Sequence, residues 1–167
     1  MRIAVSGTHG VGKSTLIEEF LRVHPEFMHE PEPYAVLVED YGEEFSAEPC
    51  VEDFLRQLEF NLERLGQHAA GEKVIYERCP VDFVAYLNVL DSNSTEMLQH
   101  RVSGALQHLD LIVYLPIENN DGEFPRLRQA VDHQLSELLT SVEVAVVEVT
   151  GSTTERLRAI ENTRRSL

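Results

Sequence analysis

Gly7-Thr8-His9-Gly10-Val11-Gly12-Lys13-Ser14-Thr15 is the stretch that decides the fold. It satisfies GxxxxGK[ST] in full, with the apolar run Met1 to Ser6 before it and a helical pattern after it, with Leu16, Ile17, Phe20 and Leu21 on one face. Glycines let the backbone turn so that successive N–H groups face a phosphate chain, and the start of the following helix adds a favourable dipole. ATP is therefore expected on Gly7 to Thr15, with Lys13 reaching the β- and γ-phosphates and Ser14 ligating Mg2+. His9 could be a base contact or a loop filler within this binding stretch, and the filler is the favoured reading.

Working outward, Glu26 to Glu30 is a weak strand ended by Pro31 and Pro33, which cannot continue a ladder. Val51 to Ala70 has helical spacing, Lys73 to Tyr76 reads as a buried strand, and a helix follows Pro80 through about Leu90. A further helix is expected from about Ser94 to His108, a strand at Leu111 to Leu115, and a helix over Pro125 to Leu139. The last strand is placed at Val142 to Val149, and Ser152-x-x-Glu155 opens a C-terminal helix as a capping box. Strands alternating with helices select a five-stranded parallel sheet with helices on both faces, an α/β three-layer sandwich of the P-loop NTPase kind. Residues 1–167 are expected to form one domain.

Composition narrows the partners. Twenty-nine acidic against fourteen basic residues give a net charge of -15, which repels a nucleic-acid backbone and an anionic membrane. The longest apolar runs fall far short of a bilayer span. Two cysteines make no disulfide framework, and no leader with a cleavage site precedes the phosphate loop, so a cytoplasmic location is expected.

In an open parallel sheet ligands bind at the carboxyl ends of the strands, and polar motifs stand at each of them. After the second strand, Glu30-Pro31-Glu32-Pro33-Tyr34 offers two carboxylates, either of which could take the proton of a substrate hydroxyl attacking the γ-phosphate. After the third, Glu77 is a candidate for Mg2+ or its water, Arg78 for phosphate and substrate, and Asp82 for a substrate contact or a helix-start residue. Glu118 to Glu123 is expected to be a mobile loop leading to Arg126 and Arg128, candidates to neutralise charge on the transferred phosphoryl group. Thr150-Gly151-Ser152, after the fifth strand, could bring backbone, Gly151 foremost, to the adenine base, and a plain helix cap explains it as well. No aromatic box for an acceptor is legible.

The order GTHGVGKST, HEPEP, YERCPVD, DLIVYLP and VTGSTTERL resembles the small P-loop kinases: thymidylate kinase, the deoxynucleoside kinases and the nicotinamide-riboside-kinase type of AAA-like domain. The resemblance spans most of the chain. It implies a base in the carboxylate after the second strand, matched by Glu32 on proline pattern and by Glu30 on distance from the strand. It also implies that the acid-arginine pair after the third strand assists metal and substrate. Glu77-Arg78 stands where the riboside-kinase group usually has Asp-Arg, and is closer to the deoxynucleoside kinases. DGEFPRLRQA resembles an adenylate-kinase sequence but follows the fourth strand, not the third, and is read as coincidence. The function so implied is transfer of the γ-phosphate of ATP to a hydroxyl of a nucleoside- or nucleotide-like molecule. The alternative is an ATP-binding switch or ATPase acting through a protein partner, and homodimerisation is left open. A translation-type GTPase is excluded, since neither NKxD nor DxxG occurs.

Overall fold

Ile3, Ala4 and Val5 are fully buried because Arg2–Ser6 lies at the centre of a sheet covered on both faces. The computed structural model of the chain describes residues 1–91, 98–119 and 123–167. β1 (Arg2–Ser6), β2 (Met28–Glu30), β3 (Val74–Glu77), β4 (Leu111–Tyr114) and β5 (Ala145–Glu148) pair in the order β2-β3-β1-β4-β5, all parallel. Val5 stands beside Glu77 and Val113, so the ends of β1, β3 and β4 open on one edge, where the phosphate loop begins.

The two-residue alternation of strands divides the core. Ile3, Val5, Ile75, Leu111 and Val113 face one layer, made of α1 (Lys13–Val23) and α7 (Thr153–Arg164). Ala4, Val74, Tyr76, Ile112 and Tyr114 face the other, where α4 (Pro80–Leu90) and α6 (Pro125–Leu139) pack, flanked by α3 (Val51–Gln67) and α5 (Gln99–Leu106). The expected three-layer α/β sandwich is therefore present.

Some element boundaries depart from the sequence reading, and others fall outside the described residues. The chain turns at once into α2 (Pro33–Glu39), because Pro33 sits at the first helical position, where its missing N–H costs nothing. β5 is shorter than the expected run: it can pair only along four-residue β4, while Val142 and Val144 turn in to pack on the core before it begins. α5 is described from Gln99, and residues 94–97 of the helix expected there lie outside the described residues. So do residues 120–122 of the loop expected between 118 and 123.

Candidate active site

The phosphate loop is built by close backbone approach. A Cβ on Gly7 would stand 2.6 Å from the Leu115 carbonyl oxygen, so only glycine lets the chain leave β1 against the end of β4. Gly12, at φ +92°, holds the left-handed turn from which α1 starts. Beneath the loop, fully buried Asp82 accepts from the Ser6 hydroxyl at 2.6 Å and from the Gly7 and Cys79 N–H groups at 2.9 Å each. Of the two readings of Asp82, the substrate contact does not hold and the helix-start one does: Asp82 stands at the third position of α4, caps the Cys79 N–H, and from there braces the loop. Its two oxygens are committed to protein donors, and no solvent reaches it.

Lys13 is also buried, and its ammonium donates to the Thr8 carbonyl at 2.8 Å, curling over the loop it belongs to. Burial lowers its pKa to about 8, with the Arg78 charge adding to the effect. Ser14 donates to Glu77 Oε1 at 2.8 Å, so the hydroxyl at the start of α1 and the carboxylate ending β3 share one spot. These are oxygen donors only, and among the described residues no cluster of three or more His, Cys, Asp or Glu side chains could hold a metal by itself. That donor set fits magnesium, which binds through one or two protein oxygens together with phosphates and water.

Glu30 and Glu32 part company. Glu30 turns to the α3 side, where His68 Nε2 lies 2.8 Å and Arg64 Nη1 3.3 Å from its carboxylate. Glu32 turns to the phosphate loop and pairs closely with the buried Arg78 guanidinium. Burial by itself would raise the Glu32 pKa, but Arg78 and Lys13 outweigh it and hold the carboxyl down at about 2. Arg78 also donates to the Gly7 carbonyl at 3.2 Å and lies 5.5 Å above the Tyr86 ring. Its backbone is left-handed, with φ +72°, a conformation unfavourable for a side chain with a Cβ and of the kind found where function fixes a direction.

Beside this pair lies a cavity of about 360 Å³. Two ring pairs line it: Tyr34 and Phe45, with centroids 5.1 Å apart, and Phe54 and Tyr86, stacked at 4.3 Å and 11°. Gln57, Glu32, Arg78 and His9 also line it. Its size suits a small ligand, and its rings suit a flat one. No aromatic box is legible in the sequence because Phe54 and Gln57 lie three apart on α3, where helical spacing reads simply as a core face. His9 joins the cavity to the loop: its N–H donates to the Tyr86 hydroxyl at 3.2 Å, and its ring nitrogens lie 3.0 Å from that hydroxyl and from the Glu123 carbonyl. Burial lowers the His9 pKa, and the charges of Arg128, Arg78 and Lys13 add to the shift.

The two arginines of α6 differ. Arg128 is buried beside the phosphate loop, its Nη2 3.8 Å from where a Cβ on Gly10 would stand. Arg126 points to solvent. Gly151, expected near the adenine base, is exposed and donates its N–H to Glu118 at 2.8 Å.

A family model described as an AAA domain matches residues 2–156. The chain belongs to this AAA-domain family. No curated protein matches it by sequence. Among solved structures, thymidylate kinase from Ehrlichia chaffeensis superposes with a TM-score of 0.73 at 13% identity, over 98% of both chains. The NadR protein in complex with NR gives 0.73 at 17% identity, covering 98% of this chain and 50% of that one, so the AAA-domain chain corresponds to half of NadR. Deoxyadenosine kinase from M. mycoides, with products dCMP and a flexible dCDP, gives 0.66 at 17% identity over the whole of both chains. At such identities the likeness establishes the fold, which is that of the P-loop nucleoside and nucleotide kinases.

Proposed function

We propose that residues 1–167 are a single nucleotide-binding domain acting as a kinase, transferring the γ-phosphate of ATP to a hydroxyl of a nucleoside-like molecule. The observation that carries this reading is the Glu32–Arg78 pair, set between the phosphate loop on one side and the aromatic cavity on the other. A nucleotide switch has no need of a ring-lined cavity ending in an ionised carboxylate beside its γ-phosphate. The acceptor is taken to be a nucleoside rather than a nucleotide on grounds of charge. Among the described residues lining the cavity, the one arginine, Arg78, already faces Glu32 and Asp82, while Glu32, Asp53 and Glu123 add negative charge.

In the reaction Lys13 and the loop N–H groups hold the β- and γ-phosphates, and Ser14 with Glu77 would hold magnesium against them. The ion supplies neutralisation of triphosphate charge. The flat part of the acceptor packs against the cavity's rings, with its hydroxyl directed to Glu32. The hydroxyl oxygen bonds to the γ-phosphorus as the bond to ADP breaks, and the proton passes to the Glu32 carboxylate. As Glu32 takes the proton and loses its charge, Arg78 is released from that pair to neutralise charge on the transferred group, with Arg128 beside Gly10.

ADP release from ATP, measured against a panel of nucleosides, nucleoside monophosphates and vitamin-like ribosides, tests the proposal. An unphosphorylated acceptor is expected to stimulate release at least tenfold, and its monophosphate is not. Stimulation by monophosphates alone would overturn the charge argument. No acceptor dependence at all would favour the switch.

A further inference from the structure

A phosphate loop that points its N–H groups inward must point carbonyls outward, and these need donors of their own. Lys13 serves the Thr8 carbonyl on the inner side. On the outer side, away from Glu32 and Arg78, the Val11 carbonyl accepts from Arg156 Nη1 at 3.1 Å. Arg156 comes from the first turn of α7, whose start is fixed by the Ser152/Glu155 capping box. Its guanidinium reaches the loop closely: a Cβ on Gly12 would stand 3.3 Å from Nη1. Arg156 thus grips the peptide between Val11 and Gly12, immediately before Lys13 and Ser14.

The orientation of that guanidinium is set by Glu118, beyond β4. One Glu118 oxygen pairs closely with Arg156 Nη2, and the other accepts the Gly151 N–H at 2.8 Å. Two side chains therefore tie together the phosphate loop, the segment after β4 and the segment after β5. An ion pair as exposed as Glu118, at 37%, adds little to global stability. Arg156 is only 13% exposed, and its charged bond to a backbone carbonyl belongs to the stronger class, so its effect is concentrated on local loop geometry.

We propose that Arg156, oriented by Glu118, is a positioning residue that holds the Val11–Gly12 peptide in its phosphate-binding geometry. The role concerns phosphate binding alone, so it stands or falls independently of whether the protein is a kinase.

The test is calorimetric affinity of the full chain for ATP and for inorganic tripolyphosphate, beside the melting temperature. Arg156→Ala is expected to weaken both ligands by the same factor, about tenfold, with the melting temperature held. Glu118→Gln, which keeps the arginine but loosens its aim, is expected to weaken both about threefold. Arg156→Lys, which keeps charge without the fork, should fall between parent and Arg156→Ala. Parent-like tripolyphosphate affinity in Arg156→Ala overturns the proposal, as does a loss confined to ATP, which would make Arg156 a base contact. Full recovery in Arg156→Lys overturns it in favour of charge alone, and a loss that tracks melting temperature overturns it in favour of fold maintenance. Should Arg156→Ala not fold, Glu118→Gln decides: parent affinity for both ligands there refutes the positioning role.

Discussion

Two glutamates two positions apart have opposite surroundings, and their substitution should separate them. Glu32 lies against the cavity and the phosphate loop, whereas Glu30 is spent on Arg64 and His68. Glu32→Gln is expected to cut turnover about 10²- to 10⁴-fold, the usual cost of losing a general base, while ATP affinity holds. Glu30→Gln should keep turnover within a few fold and cost about 1–2 kcal/mol of stability, because it weakens hydrogen bonds to the mostly buried Arg64. Steady-state kinetics beside urea unfolding of both variants check this, and equal kinetic losses would return the base to an open choice. The same pair marks the reach of local reading. Proline pattern and strand distance gave contradictory choices between them, since side-chain direction depends on where α2 and α3 dock. In sequence Asp82 is open between a helix-start residue and a substrate contact, and its burial under Ser6 and Gly7 at the start of α4 decides for the former.

At the scale of the element, α6 carries two arginines separated by half a turn, which a helix sends in different directions. Arg128 turns in beside Gly10 and Arg126 turns out to water. A guanidinium that acts on charge developing during transfer stabilises the transition state more than bound ATP. Arg128→Ala should therefore lower kcat about 10²- to 10³-fold with ATP affinity nearly unchanged, and Arg126→Ala should stay within about twofold of the parent. Single-turnover rates together with ATP titration of both variants measure the difference. Parent-like rates in Arg128→Ala would leave it a structural residue of α6. The sequence placed both arginines after the fourth strand correctly, but it had no way to rank them without the helix phase relative to the phosphate loop. α2 was invisible for a related reason. Its prolines end a ladder as well as they start a helix, and the choice between these depends on the surface against which the next turn packs, here α3.

Across the whole molecule, charges from three strand ends meet at one point, and their mutual effects set its pH dependence. Glu32, held down at about 2, is ionised throughout the neutral range, so it sets no limb of the activity profile there. Its folded pKa lies below the ordinary carboxylate value. Its contribution to stability is therefore full above about pH 4.5 and is lost as pH falls toward about 2, which acid unfolding of parent and Glu32→Gln will compare. Lys13 behaves in the opposite sense. With its pKa lowered to about 8, it is charged below that pH and increasingly neutral above it, so affinity for ATP should be flat from about pH 7 to 7.5 and fall above about pH 8. Titrations from pH 7 to 9.5 check this, and a flat profile to pH 9.5 would show that Lys13 keeps its proton. The sequence by itself determined the phosphate loop, the alternation of strands and helices and hence the parallel sandwich, because each is written in contiguous residues: glycine spacing, apolar period, capping pairs. Tertiary structure decided the rest. Which glutamate faces the loop, the aromatic cavity of Tyr34, Phe45, Phe54 and Tyr86, and the grip of Arg156 and Glu118 on Val11 all join residues far apart in the chain. Such groups meet only where parallel strands bring their carboxyl ends to one edge and the packed helices fix the direction of each side chain.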